Sequence, residues 1–219
     1  MPADENDEKP AAAPRFSVEN AKKQAEEALH KSEFILSRAY GLFKNPKGEW
    51  EQIRAEKTTI PAILIGYAAP LAAIPPICDI LGRYVFGQRV GEAMERPAFV
   101  DAIVNGVVFW LVAVALVGLL GILINAVAAH FDADQDDLAA QKVAAYSLTP
   151  AFLSGVFSLW PPLWWLSLFA LAAMVYLMYR GLPILMKAPE DRALGYAATV
   201  TIAVMVCGIV LLSLASCVT

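Results

Sequence analysis

Four stretches of this chain contain no Asp, Glu, Lys, Arg or His: Thr58–Cys78 (21 residues), Ala102–Ala129 (28), Val143–Tyr179 (37) and Ala193–Thr219 (27). Each is at least as long as the roughly 20 residues a helix needs to cross about 30 Å of hydrocarbon. Mean hydropathy of +0.53, with 58% hydrophobic and 17% charged residues, agrees with a bilayer as the solvent and excludes an ordinary soluble domain.

The longest run would extend about 55 Å as one helix, nearly twice the hydrocarbon thickness, so it is expected to fold back on itself. Pro161-Pro162 marks the turn, because two prolines remove two backbone donors and push the preceding residue out of the helical region. One helix then ends near Ser158, and Trp160, Trp164 and Trp165 fall at headgroup depth. The expected fold is all-α: a polytopic integral membrane protein of about five transmembrane helices, preceded by a cytoplasmic helical segment. Pro70, Pro75 and Pro76 leave open a re-entrant first segment and four spans.

Basic residues number 10 before the first span, 3 in Asp79–Asp101, 1 between spans two and three, and 3 in Arg180–Arg192. Five spans with the N-terminus inside place 14 of the 17 on the cytoplasmic side, whereas the four-span alternative places 13 there. The first residues, MPADENDEKPAAAP, lack the apolar region of a cleavable signal, so the first span is expected to direct insertion.

Along the chain, residues 1–16 read as a disordered tail, 17–57 as a cytoplasmic and interfacial helical segment, and 58–219 as the membrane domain. Val18, Ala21, Ala25, Leu29, Leu36 and Phe43 share one helical face. Asn45 followed by Pro46 predicts a capped helix start. Trp50 and Ile53 would then share the apolar face of a short helix lying flat at the membrane surface. In the last span, Gly195, Thr199, Ala203 and Cys207 recur every four residues and predict close packing along a small-residue stripe.

Chemistry-bearing motifs are scarce. FDADQDD at 131–137 has acidic density, but a calcium loop needs glycine where Asp137 stands, so it reads as a solvated loop. His30 and His130 have no partners at ligand spacing, and Cys78, Cys207 and Cys217 lack C-x-x-C spacing, so no cofactor or metal is expected. Asn105 and Asn125 are expected to hydrogen-bond between helices, and Ser147 and Thr149 to bond carbonyls freed near Pro150. Asp79 and Arg180 lie at span ends, leaving the middles of the spans uncharged. Without intramembrane charge or a hydrolase or nucleotide motif, neither enzymatic activity nor ion-coupled transport is expected.

Asn45-Pro46 with Trp50, "AYSLTP" at 145–150, "YLMYRGLPILMK" at 176–187 and "GYA" at 195–197 resemble the Yip domain family, the Ypt-interacting proteins, in its bacterial branch. The similarity runs from about Phe43 to Leu212. It implies five membrane helices with a cytoplasmic N-terminus, in the inner membrane of a bacterium. Eukaryotic members engage prenylated Rab GTPases, but their acidic, proline-containing N-terminal motif has no counterpart here, and a bacterial host offers no Rab system. The resemblance therefore implies a non-enzymatic scaffold or adaptor acting on the bilayer and on a protein partner or a second copy, with no nucleic acid. Candidate partner or interface positions are Asn45, Pro46, Trp50, Tyr146, Ser147, Pro150, Tyr179, Gly181 and Pro183. The rival reading is a facilitated transporter or channel for a small neutral solute, with Asn105, Asn125, Tyr146, Ser147 and Thr149 converging on one wet cavity.

Overall fold

The computed structural model describes residues 18–90, 93–95 and 98–216; the acidic tail and Cys217 lie outside them. Contacts divide the chain between Ser37 and Arg38. Helix α1 (Val18–Lys44) crosses that boundary. The remaining elements belong to the second unit.

Helix α2 (Pro46–Ala55) starts as its sequence predicts. The Asn45 side chain accepts from the Gly48 N–H at 3.3 Å, and Pro46 occupies the first turn, where a missing N–H costs nothing. After the extended residue Glu56, Thr59 caps a helical stretch built from α3 (Ile60–Ile63), a π turn (Leu64–Ala68), α4 (Ala69–Ala72) and α5 (Ile74–Phe86). The prolines explain its breaks. Ahead of Pro75-Pro76, the Ala73 N–H turns to the Pro70 carbonyl, three residues back, and the Ala69 carbonyl receives the Trp110 indole N–H at 2.8 Å. Gly87, at φ 75° and ψ 170°, ends α5 in a conformation that side chains exclude.

Two short strands, β1 (Gln88–Val90) and β2 (Ala93–Glu95), pair antiparallel before α6 (Phe99–Val127), so the described residues are helical with one small hairpin. A 3₁₀ turn prolongs α6 to Phe131. Helix α7 (Asp137–Ser147) follows, capped by the Asp136 carboxylate on the Ala139 N–H. Next come α8 (Thr149–Leu153), two 3₁₀ turns either side of Trp160, α9 (Ser167–Leu185) and α10 (Glu190–Ser216). Trp160, at φ −130° and ψ 104°, is where the long uncharged run turns.

Four helical stretches among the described residues are long and apolar enough to cross a membrane: Ile60–Phe86, Phe99–Phe131, Pro162–Leu185 and Glu190–Ser213. The segment between the second and third of these is folded as α7, α8 and a 3₁₀ turn in place of one continuous helix. Residues 140–147 of α7 are all buried, with α7 packed against both α6 and α9. Large apolar side chains such as Leu111, Ile122, Phe169, Ile202 and Ile209 cover the outside of the bundle, as hydrocarbon contact requires.

Three expectations need correction. Asp79 and Arg83 sit within the first spanning stretch, because its helix continues past Cys78 to Phe86. On α10 the packed face carries Ala193, Tyr196, Ala197, Val200, Thr201 and Val204, while Gly195 and Thr199 are exposed and Ala203 and Cys207 only half-buried. In an apolar helix many spacings look like an interface, and the bulky Tyr196 takes the contact by stacking on Phe131 at 4.7 Å. Trp50 and Ile53 are fully buried inside the protein, so α2 does not lay its apolar face on lipid.

Candidate functional site: a buried clamp

The site is assembled from the segment that precedes the membrane helices. Arg38, at the end of α1, is 3% exposed, and its guanidinium reaches two carboxylates: Glu49 at 2.5 Å and Glu56. Glu49 lies on α2 and Glu56 at its C-terminal cap, so one cation binds both ends of the helix. Burial alone would lower the guanidinium's pKa; the hydrogen bond and charge of Glu56, aided by Glu49, outweigh it and hold the pKa above its ordinary value. The guanidinium also stands 5.6 Å from the Tyr146 ring centroid.

A second buried cation comes from α7. Lys142 Nζ donates to the Ile53 carbonyl at 2.7 Å and to the Glu56 carbonyl at 2.8 Å. Carbonyls in the last turn of a helix have no partner within it, and an ammonium there also complements the negative end of the helix dipole. The two cations together tie α2 to α1 and α7.

Aromatic packing completes the arrangement. Trp50 meets Tyr146 edge-on at 6.4 Å, and Tyr146 meets Tyr67 at 4.6 Å. Tyr67 and Thr149 share a hydrogen bond of 2.8 Å between their hydroxyl oxygens, and the Thr149 hydroxyl lies 2.7 Å from the Tyr146 carbonyl. On the far side, α9 offers Gly181: a Cβ there would lie 2.8 Å from Cε2 and Cζ2 of Trp50. The indole therefore occupies the place where any other residue would carry a side chain.

These contacts bring Trp50, Tyr146 and Gly181 together, although they are far apart in sequence. Ser147 and Pro150 are buried beside them, at the junction of α7 and α8. The repair near Pro150 is made by Thr149, while the Ser147 hydroxyl has no partner among the described residues. Asn45 is exposed and Pro46 half-buried, both serving the start of α2; Tyr179 and Pro183 are half-buried on α9. Arg38, Glu49, Glu56 and Lys142 escaped the sequence reading. Their available signal was Lys142 itself, the one Lys or Arg between Arg96 and Arg180.

The polar residues that a solute path would need are dispersed. Asn125 binds the Asp137 carboxylate at 2.5 Å at the end of α6, and Asn105 lies on a separate recess beside α5. Tyr146 and Thr149 are spent within the clamp. In the 131–137 loop, exposed Asp132 and Asp134 pair with Arg192 at 2.5 Å and with Lys187 at 2.6 Å, tying the loop to the α9–α10 connection.

A family model, the Yip1 domain, matches residues 40–212, which include every member of the clamp except Arg38. The chain belongs to the Yip1 domain family. It is 28% identical over 181 residues to "Inner membrane protein YohC" of Escherichia coli K12, a match covering 80% of this chain and 93% of that protein. The protein of the same name from Escherichia coli O6:H1 matches to the same extent. No solved structure matches. Within this Yip1 domain, Asn45-Pro46 and Trp50, "AYSLTP", and the glycine of "YRGLP" act as one structural device that fastens α2 to the membrane bundle.

Proposed function

We propose that this Yip1 protein is a non-enzymatic scaffold or adaptor of the bacterial inner membrane, with α2 held rigidly on the bundle so that α1 is presented to a protein partner or a second copy. The clamp is the observation that carries this reading: two buried cations and a buried Trp are committed to holding one ten-residue helix. Investment on that scale suits a mount, because a helix anchored only by lipid would stay free to tilt. Exposed Tyr40 and Phe43 in the second unit, and exposed Leu29 and Leu36 in the first, supply apolar contacts of the kind a partner uses.

In the proposed topology, residues 143–159 make a fifth crossing between the spans that end at Phe131 and begin at Pro162. Burial in protein lets such a broken passage satisfy its backbone at membrane depth. The N-terminus is cytoplasmic and the C-terminus opposite, which the concentration of Lys and Arg before the first span and in Arg180–Arg192 supports. Inner-membrane placement follows the similarity to the Escherichia coli inner membrane protein. The dispersal of Asn105, Asn125 and the clamp hydroxyls speaks against the transporter reading.

The test uses a photo-crosslinking residue at Tyr40 in native membranes. A discrete protein adduct, weakened when Gly181→Leu displaces Trp50, is expected. Adducts to lipid alone would overturn the adaptor reading.

A further inference from the structure

Away from the clamp, the crossing of α5 and α6 holds a recess of about 380 Å³, within the range of about 300–1,000 Å³ usual for small-ligand sites. Its polar atoms come from three elements: Asp79 and Arg83 on α5, Asn105 on α6, and Ser158 just before the Trp160 turn. Asp79 and Arg83 pair at 2.7 Å one helical turn apart, and both are nearly half exposed. Charged side chains inside a spanning helix are costly and mark functional positions.

The recess shares the lining residues Pro76, Ile80 and Gly106 with a second groove of about 210 Å³, walled by apolar side chains including Ile77, Val107 and Trp110. Asp79 lies seven residues before the end of α5 and Asn105 six after the start of α6, so both sit about 10 Å in from the ends that the β1–β2 hairpin joins. On α6 the groove is bounded by Ile103 and Trp110 and the recess by Ala102 and Phe109, so the two lie side by side at nearly the same depth along that helix. A polar recess with both signs of charge beside a dry apolar groove, both on spanning helices, is the outline of a membrane lipid's head and chain.

We propose that this recess and groove bind one phospholipid with a zwitterionic, amine-bearing headgroup. Its phosphate faces the Arg83 guanidinium, its ammonium faces the Asp79 carboxylate, Asn105 and Ser158 hydrogen-bond the head, and an acyl chain follows Ile77 and Trp110. Opposite charges on adjacent turns select a head that carries both, because an anionic head would meet the Asp79 carboxylate without a compensating cation. The recess shares no residue with the clamp and stands independently of the adaptor reading.

The experiment is native mass spectrometry of the full-length, delipidated protein, titrated separately with dioleoyl phosphatidylethanolamine, dioleoyl phosphatidylglycerol and the chain-free glycerophosphoethanolamine. The first phosphatidylethanolamine should bind about tenfold or more tighter than phosphatidylglycerol, the scale set by one charge-assisted hydrogen bond, and the chain-free head should not compete. Asp79→Asn combined with Arg83→Gln should abolish the preference. Gly106→Leu, which keeps both charges but adds bulk at a residue lining both recess and groove, where a Cβ would already meet Ile80 Cδ1 at 2.9 Å, should weaken binding of the intact lipid. Asn105→Ala, at an exposed position, provides a variant that leaves the ion pair and the packing alone, and it should also lower the affinity. Equal binding of the two lipids, an undiminished preference in the double variant, an unchanged affinity in Asn105→Ala, or full competition by the chain-free head would overturn the proposal.

Discussion

The indole of Trp50 lies against Gly181 so closely that a Cβ at position 181 would stand 2.8 Å from two of its ring carbons. Backbone and ring are thus in direct contact across α2 and α9. Gly181→Ala forces the indole or the helix to shift and should cost about 1–3 kcal/mol, the usual scale of overpacking. Thermal unfolding of the protein in detergent measures it, with Gly195→Ala, where a Cβ meets only Phe131 at 3.6 Å, as a near-neutral control.

Arg38 predicts a larger loss. Replacing it with Met leaves Glu49, 16% exposed, and Glu56, 29% exposed, without their cation. Breaking a buried pair costs about 3–5 kcal/mol, and the partial access of Glu56 to water puts the expected value at about 2–4 kcal/mol. Limited proteolysis should show cleavage within 46–57 accelerating while the membrane helices stay intact. Combined with Glu56→Gln, the loss should be less than additive, as coupled partners require.

Lys142 tests the same clamp from the other side. Lys142→Met matches its length but leaves the Ile53 and Glu56 carbonyls without their donor, at a cost of about 1–3 kcal/mol. Amide exchange in the last turn of α2 should rise, while exchange in α6, which Lys142 does not cap, stays unchanged.

The two proline sites should separate in a topology assay. Pro161 and Pro162 follow the extended residue Trp160, where the chain reverses, whereas Pro150 lies buried in the first turn of α8. Pro150→Ala should leave a reporter fused after Arg192 on its original side. Changing Pro161 and Pro162 to Ala together removes the turn signal, and each proline taken out of a helical run relieves about 3 kcal/mol of resistance to continuation. A fraction of the double-variant molecules should therefore place the reporter on the other side.

Much of the fold is legible because it follows from local chemistry. Asn45-Pro46 caps and starts a helix through its own atoms, and Pro161-Pro162 interrupts one by lacking N–H groups. The partner of a buried face is a different matter. Trp50 and Ile53 define an apolar face in either setting, and amphipathicity alone does not distinguish lipid from the protein core. Charge was the more misleading signal. Arg38, Glu49 and Glu56 match no motif and drew no reading from the sequence, yet they pair with each other in the fold. Lys142 likewise moved the expected start of a spanning segment to Val143, although α7 begins at Asp137 and buries the lysine. On α10, several faces are apolar enough to pack, and the contact made by Tyr196 decided which one does.

The clamp is tested most directly by asking what surrounds the Trp50 ring. With Trp110, Trp160, Trp164 and Trp165 changed to Phe, Trp50 is the only tryptophan, and the protein can be reconstituted in lipids brominated at shallow or deep chain positions. A ring fully buried between Gly181 and Tyr146 should be quenched by neither brominated lipid and only weakly by aqueous acrylamide. Strong quenching by the shallow brominated lipid would place α2 on the membrane surface and contradict the clamp.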